Sequence, residues 1–129
     1  MKLRYTILYV ADVREALAFY ERAFGLSTRM LHPSGDYGEL DTGGTTLSFS
    51  SRRLIAALGK SPAAPDPARP TFEIAFETHD VAAAWERALA AGAEPVQPPR
   101  REDWGQTTAY VRDADGFLVE ICTPVASES

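Results

Sequence analysis

Polar and apolar residues alternate along two stretches near the C-terminal end of the chain, residues 107–112 and 117–122. A period of two is typical of a half-buried strand, so each stretch predicts a β-strand. Asp113-Ala-Asp-Gly116 separates them and has the composition of a tight turn, with Gly116 able to adopt positive φ. The pattern therefore predicts a β-hairpin.

Glu120 is the residue that a plain hairpin does not explain. Successive side chains of a strand point to opposite faces, so Glu120 shares a face with Leu118 and Cys122. The other face, residues 117, 119 and 121, is apolar and predicts core packing. A carboxylate on a mostly apolar strand either reaches water or has a functional role, which makes Glu120 a candidate site residue.

Upstream of the hairpin, the same patterns predict strands and helices in a definite order. Residues 3–10 read as a strand, followed by a helix that Asp12 caps, with Glu15 completing a capping box and Gly25 ending it. Strands are predicted at residues 26–31, 37–41 and 45–50, and one or two helical turns at 52–58. Residues 61–70 contain four prolines and predict a linker or surface loop.

The order of elements then begins again. A strand is predicted at residues 71–78, then a helix from 81 to 91 with Asp80 as its cap and Gly92 after its end. Residues 95–99 are predicted to be extended and interrupted by proline. The boundaries that follow are a first module at 1–58, a linker at 59–70, a second module at 71–124 and a tail at 125–129.

The two halves form an internal repeat. Asp12 and the helix ending at Gly25 correspond to Asp80 and the helix ending at Gly92, and residues 41–49 correspond to 113–121. This shared order predicts a duplicated βαβββ unit in an α+β fold. By the same correspondence Tyr5 matches Glu73 and Ser48 matches Glu120, so these four residues are candidates for one pocket.

Charge and composition exclude several function classes. The 129 residues carry a formal net charge of −5 without a long run of Lys or Arg, which argues against nucleic acid and anionic membranes as partners. No apolar stretch approaches the roughly 20 residues of a membrane span, and the N-terminus lacks the apolar core of a signal peptide. We therefore expect a cytoplasmic protein. Cys122 is the only cysteine, so no internal disulfide forms, and we expect it to be a small buried residue.

The chain resembles the glyoxalase/bleomycin resistance/dioxygenase superfamily, also called the vicinal oxygen chelate proteins. The residues that carry the resemblance extend over most of the chain outside the linker: Tyr9-Val-Ala-Asp12, Ala18-Phe-Tyr20, Phe24-Gly25, Phe72-Glu-Ile-Ala-Phe76, Asp80-Val81, Ala91-Gly-Ala93, Trp104-Gly-Gln106, Val111-Arg-Asp-Ala-Asp-Gly116 and Val119-Glu120. The resemblance implies two βαβββ modules that form a cup-shaped mixed β-sheet with helices outside, and a homodimer. It indicates the fold far more specifically than the reaction.

In metal-dependent members of the superfamily, four side chains in the cup, typically His, Gln or Glu, hold a divalent cation. The resemblance carries these positions to Tyr5, Ser48, Glu73 and Glu120. Tyr and Ser are poor ligands for Zn²⁺, Ni²⁺, Fe²⁺ or Mn²⁺, and none of the four is His. We therefore expect neither a metal nor another cofactor; if a hard divalent cation does bind, Glu73 and Glu120 are its ligands.

Each candidate residue has both a ligand-binding and a structural interpretation. Glu73 and Glu120 either bind a cationic or hydroxylated ligand, with one of them as a catalytic base in the enzymatic case, or are solvated or paired with an arginine such as Arg112. The tyrosines either line a pocket for a planar ligand or pack as ordinary strand residues. Trp104 is predicted at the rim of the cup, as a lid or as a packing residue. The complete ligand-binding set is Tyr5, Tyr9, Ser48, Glu73, Trp104, Tyr110, Arg112 and Glu120.

Three functional hypotheses follow from these observations. The first is a metal-free protein that sequesters a small organic compound, with the acidic pair favouring a cationic one. The alternative is a metal-dependent lyase, isomerase or dioxygenase with a degenerate site at Glu73 and Glu120; a metal-independent enzyme is a third hypothesis. Whether the protein is an enzyme, which compound it binds and whether it has a regulatory role stay open at this stage.

Overall fold

The computed structural model describes residues 1–125, so all but the first residue of the predicted tail at 125–129 lies outside the described part. The chain divides into two compact units, Met1–Ala64 and Pro65–Ser129. In chain order, the described elements are β1 (Tyr5–Val10), α1 (Val13–Phe24), β2 (Thr28–Leu31), β3 (Tyr37–Leu40), β4 (Thr46–Ser51), α2 (Arg52–Ala57), β5 (Glu73–Glu77), α3 (Val81–Ala90), β6 (Glu94–Arg101), β7 (Thr107–Arg112) and β8 (Leu118–Cys122).

The first unit is a four-stranded mixed sheet with strand order β1-β4-β3-β2. β1 pairs with β4 in parallel, and the remaining neighbours are antiparallel. α1 begins where predicted, because the Asp12 side chain accepts a hydrogen bond from the Glu15 N–H at 3.1 Å. It ends at Gly25, whose φ of 70° is the left-handed conformation that favours glycine.

α1 packs on one face of this sheet and buries the apolar side chains that alternate along its strands. The fully or nearly fully buried residues on the strands are Leu8, Val10, Leu40, Leu47 and Phe49. Gly38 lies directly beneath the helix. A Cβ atom there would be 2.7 Å from Leu17 Cδ1 and 3.1 Å from Val13 Cγ1, so the close approach of helix and sheet requires glycine.

The second unit repeats this topology with strand order β5-β8-β7-β6 and a parallel β5–β8 pair. The Asp80 side chain caps α3 by accepting from the Ala83 N–H at 3.0 Å. The predicted hairpin turn is confirmed: Asp113 Oδ1 accepts hydrogen bonds from the N–H groups of Asp115 and Phe117, and Gly116 has φ of 100°. The architecture is therefore α+β with two βαβββ modules, as predicted.

One feature departs from a simple repeat, and a second departs from the elements predicted from the sequence. α2 follows β4 in the first module, while no helix follows β8 within the described residues. The extended, proline-interrupted piece predicted at residues 95–99 is the middle of an eight-residue strand, β6, whose pairing register shifts on both sides of Gln97. β6 tolerates its prolines because it lies at the edge of the sheet, where a missing N–H donor costs least.

The second half of the proline-rich segment lies against the second module. A Cβ atom on Gly116 would meet the Pro67 ring at 3.3 Å, and Arg112 Nε donates to the Pro67 carbonyl at 3.1 Å. The turn between β7 and β8 is thereby covered by residues that precede β5. In residues 1–125, no helix has both the length and the hydropathy needed to cross a membrane.

Candidate functional site

Three polar side chains meet on the face of the second module that lies opposite α3. The strand registers place Tyr110 beside Glu120 across β7 and β8, and Glu120 beside Ala75 across β8 and β5. The Tyr110 hydroxyl lies 2.9 Å from Glu120 Oε2 and 3.3 Å from Glu73 Oε2. A phenol has a single proton, so the two carboxylates share one donor.

Among residues 1–125, the two carboxylates have no cationic partner. Neither Glu73 nor Glu120 forms an ion pair with Lys, Arg or His in the part of the chain that the structure describes. Burial, followed by the hydrogen bond to Glu120, raises the pKa of Tyr110 well above its usual value, so the phenol is a neutral donor at physiological pH. The cluster thus has two negative charges and one shared hydrogen-bond donor.

Arg112 and Trp104, two further predicted ligand contacts, have different surroundings. Arg112 lies on the same face of β7 as Tyr110, but its guanidinium pairs with Glu94 at 3.2 Å and with the Pro67 carbonyl rather than with Glu73 or Glu120. Trp104 lies in the turn between β6 and β7 with 62% of its surface exposed. Its indole N–H donates to Gln106 Oε1 at 2.7 Å, which orients an otherwise uncovered ring.

The other three predicted contacts lie in the first module. Tyr5 pairs in register with Thr46, and Ile7 with Ser48, so Tyr5, Tyr9 and Ser48 occupy the sheet face opposite α1. Tyr5 is 44% exposed, whereas Ser48 is completely buried. Among the described residues, Ser48 Oγ has no hydrogen-bond partner of acceptable geometry, although it lies near enough to the Tyr37 hydroxyl to influence it.

A second polar cluster on that face was not predicted from the sequence. Glu39 Oε1 accepts from Arg29 Nη2 at 2.9 Å and from Arg29 Nε at 3.2 Å, and Glu39 Oε2 accepts from the Tyr37 hydroxyl at 2.7 Å. Arg29 Nη2 also donates to Thr46 Oγ1 at 2.8 Å. Only 11% of the Glu39 side chain is exposed. Glu39 therefore has its own cation, in contrast to Glu73 and Glu120 among the described residues.

The electrostatics of this cluster follow from these contacts. The hydrogen bonds from Tyr37 and Arg29 hold the pKa of Glu39 below its usual range, since both favour the charged form. The hydrogen bond to Glu39 raises the pKa of Arg29, and burial raises that of Tyr37. The strand registers, rather than the sequence repeat, relate Glu39 to a candidate site position: it pairs with Ser48 as Tyr110 pairs with Glu120.

The side chains do not fit the divalent metal that the fold family implies. No group of three or more His, Cys, Asp or Glu within residues 1–125 is close enough to hold a metal ion. The acidic pair has only two carboxylates, and both accept the proton of one phenol, whereas transition metals prefer imidazole or thiolate ligands. We therefore derive no chemical step through a metal.

Comparison with known proteins gives one family. The model of the glyoxalase/bleomycin resistance protein/dioxygenase superfamily matches residues 2–121. Among curated proteins, the search found no match.

Many solved structures share the fold. A glyoxalase-related enzyme from Fulvimarina pelagi is 22% identical, with a TM-score of 0.82 over 96% of this chain and 88% of that one. A glyoxalase/bleomycin resistance protein/dioxygenase family enzyme from Burkholderia phytofirmans PsJN is 22% identical, with a TM-score of 0.80 over 98% and 100%. TioX from Micromonospora sp. ML1 is 24% identical, with a TM-score of 0.72 over 95% and 98%. At these identities the likeness shows the fold and not a shared activity.

Proposed function

Because the chain belongs to the glyoxalase/bleomycin resistance protein/dioxygenase superfamily, we propose that it binds and sequesters a small organic compound without a metal, and that this compound carries a positive charge. The observation that carries the proposal is the pair of carboxylates, Glu73 and Glu120, which are joined through the Tyr110 hydroxyl and have no cationic partner in the described part of the chain. An ammonium group has three donors and no acceptor, so it complements these oxygens directly.

The charge balance favours an organic cation over a metal ion. An ammonium needs hydrogen-bond acceptors, which the pair supplies, whereas a divalent ion needs more ligands than two carboxylates and a phenol provide. Glu120 is half-buried, which lowers the local dielectric and strengthens its attraction to a bound cation. Tyr5, Tyr9, Ser48, Trp104 and Arg112 stay predicted ligand contacts, and aromatic rings among them suit a planar ligand.

The test uses benzylammonium as the cationic probe and benzyl alcohol as its neutral counterpart, with binding followed by NMR titration of the full chain. We expect benzylammonium to bind more tightly than benzyl alcohol, and Glu73→Gln and Glu120→Gln each to weaken it by about fivefold or more. Glu86→Gln on α3 is the matched control and should change nothing. Equal binding of the two probes, or unchanged binding in both site variants, would overturn the proposal.

The alternative, a metal-dependent lyase, isomerase or dioxygenase, uses Glu73 and Glu120 as metal ligands. Elemental analysis of protein purified without chelator separates the two functions. A stoichiometric divalent ion that is lost in Glu120→Ala would establish the enzymatic alternative and refute a metal-free binding protein. The absence of both a bound ion and a thermal shift with Ni²⁺, Zn²⁺, Fe²⁺ or Mn²⁺ would reject the enzymatic alternative.

Family membership also supports a homodimer as the assembled form. Light scattering coupled to size-exclusion chromatography measures this directly, because the monomer has a mass of 14.1 kDa. A mass near that of the monomer at micromolar concentration would exclude a stable dimer.

A further inference from the structure

Residues of the first module hold the Arg29 guanidinium in place, but only some of its N–H donors have an acceptor among residues 1–125. Its Nε and Nη2 atoms donate to Glu39 Oε1, and Nη2 donates in addition to Thr46 Oγ1. Nη1 makes no hydrogen bond to any residue within 1–125, and 38% of the side chain is exposed. The arginine thus presents two N–H donors on its free edge.

Fixing a guanidinium in this way prepares it for recognition of an anion. An arginine side chain loses rotamer entropy when it is immobilised, and here Glu39 and Thr46 have already imposed most of that loss. Arg29 carries a positive charge at any physiological pH, because a guanidinium does not deprotonate in proteins. Glu39 itself is occupied, with one oxygen bound by Arg29 and the other by Tyr37.

An exposed aromatic ring lies on the same sheet face. Tyr5 pairs in register with Thr46, the residue whose Oγ1 accepts a hydrogen bond from Arg29 Nη2, so the ring and the guanidinium both adjoin Thr46. Tyr5 is 44% exposed, and the Arg4 guanidinium lies 5.8 Å from the centre of its ring. Asp41 is the carboxylate besides Glu39 that acts on Arg29, and it does so only through space.

We propose that the free edge of Arg29, beside the exposed ring of Tyr5, binds the carboxylate of a small aromatic compound on the first module. Arg29 Nη1 donates to a carboxylate oxygen, and the Tyr5 ring stacks on the aromatic part of the ligand. This site differs in module and in charge preference from the acidic pair in the second module. It stands on the contacts of Arg29 and does not depend on cation binding at Glu73 and Glu120.

The probe is benzoate, with benzamide as a neutral compound of the same shape. Titration is followed by the NMR signal of the Arg29 Nε–Hε group and by the backbone amides of β1 and β4. We expect benzoate to bind in the millimolar range and about tenfold more tightly than benzamide. The Arg29 Nε–Hε signal should shift with the same affinity as the amides.

Arg29→Lys removes the planar guanidinium and its outer N–H donors but keeps a positive charge beside Glu39. The substitution therefore tests the guanidinium with little disturbance of the fold. It should weaken benzoate binding about fivefold or more, because an ammonium lacks the planar, held edge of arginine. Arg53→Lys is the matched control, since Arg53 also pairs with a carboxylate, that of Asp36, through Nη2. Tyr5→Leu changes only an exposed ring and should weaken binding about threefold.

The outcomes of these titrations either support or overturn the carboxylate site at Arg29. Equal binding of benzoate and benzamide, unchanged binding in Arg29→Lys, or no benzoate binding at about 20 mM would overturn the proposal. Loss of benzylammonium binding in Glu73→Gln with benzoate binding intact would support both sites separately. Failure of benzylammonium to bind would refute the cation-binding function and leave the Arg29 site standing.

Discussion

Replacing Glu39 with Gln removes one negative charge from the first module without changing its shape. Glu39 accepts three hydrogen bonds, two from Arg29 and one from Tyr37, and 11% of its side chain is exposed. Hydrogen bonds to a charged group contribute roughly 1.5–3 kcal/mol, and the partial exposure of Arg29 reduces this by screening. We therefore expect Glu39→Gln to lower the free energy of unfolding by about 1–3 kcal/mol at pH 7.

The pH dependence provides a sharper criterion than the magnitude. Tyr37 and Arg29 hold the pKa of Glu39 below the value of about 4.3 that it has in an unfolded chain. A group with a lowered folded-state pKa stabilises the protein above its unfolded pKa, and the stabilisation is lost as pH falls through the folded value. The difference between wild type and Glu39→Gln should therefore be full at pH 7 and shrink progressively below about pH 4.

Urea unfolding followed by far-ultraviolet circular dichroism is the appropriate measurement. Both tryptophans, Trp85 and Trp104, lie in the second unit, so tryptophan fluorescence would not report on the first. Glu94→Gln is the control, because the Glu94 side chain is 67% exposed and forms a surface ion pair with Arg112; this change should alter stability by less than about 0.5 kcal/mol. A Glu39→Gln effect that stays constant from pH 7 to pH 3, or that equals the control, would refute the reasoning.

Three further predictions follow from other contacts. Gly38→Ala should destabilise the protein by about 1–3 kcal/mol, because the new methyl group would lie 2.7 Å from Leu17 Cδ1. Gly44→Ala is the control and should be nearly neutral, because a Cβ atom there would have no atom within 4 Å. Equal thermal midpoints for the two variants would contradict the close packing of α1 on Gly38. Ser51→Ala should cost about 1 kcal/mol by removing the cap of α2, and amide exchange at the start of that helix should accelerate; unchanged exchange would contradict the assigned role. Burial and neighbouring carboxylates raise the pKa of the Cys122 thiol, so a disulfide reagent at pH 8 should react with it about tenfold or more slowly in the native state than in urea; equal rates would refute its burial.

Local patterns in the sequence were sufficient for much of the fold. Asp12 and Asp80 begin helices because a carboxylate can accept a backbone N–H of the first turn, and this chemistry depends only on residues three positions apart. The face of Glu120 followed from a period of two, whereas its register opposite Tyr110 was found only in the structure. The helix caps and the strand face are local, so they can be derived from one sequence.

The contacts that the sequence did not predict are those made across strands. Arg29 reaches Glu39 and Thr46 over a pairing whose register shifts between Thr28 and Met30, and no local pattern specifies such a shift. The alternative in which Arg112 pairs with Glu73 or Glu120 is wrong, since Arg112 pairs with Glu94 because β6 runs beside β7 despite three prolines. The fold could thus be predicted because its helix caps and strand faces depend on local sequence. The contacts within the site could not, because they depend on the register of whole sheets.

The parallel pairing of the first and last strand in each module has a consequence for the order of folding. Register joins Tyr5 to Thr46 and Glu73 to Leu118, so each pair encloses the rest of its own module. The antiparallel strands between them can form through short turns, whereas closure of such a long loop must overcome much more chain entropy. We expect the amides of β1 and β5 to gain protection after those of the antiparallel hairpins in pulse-labelled hydrogen exchange. The residues on β1 and β5, Tyr5 and Glu73 among them, would then be the last to reach their places.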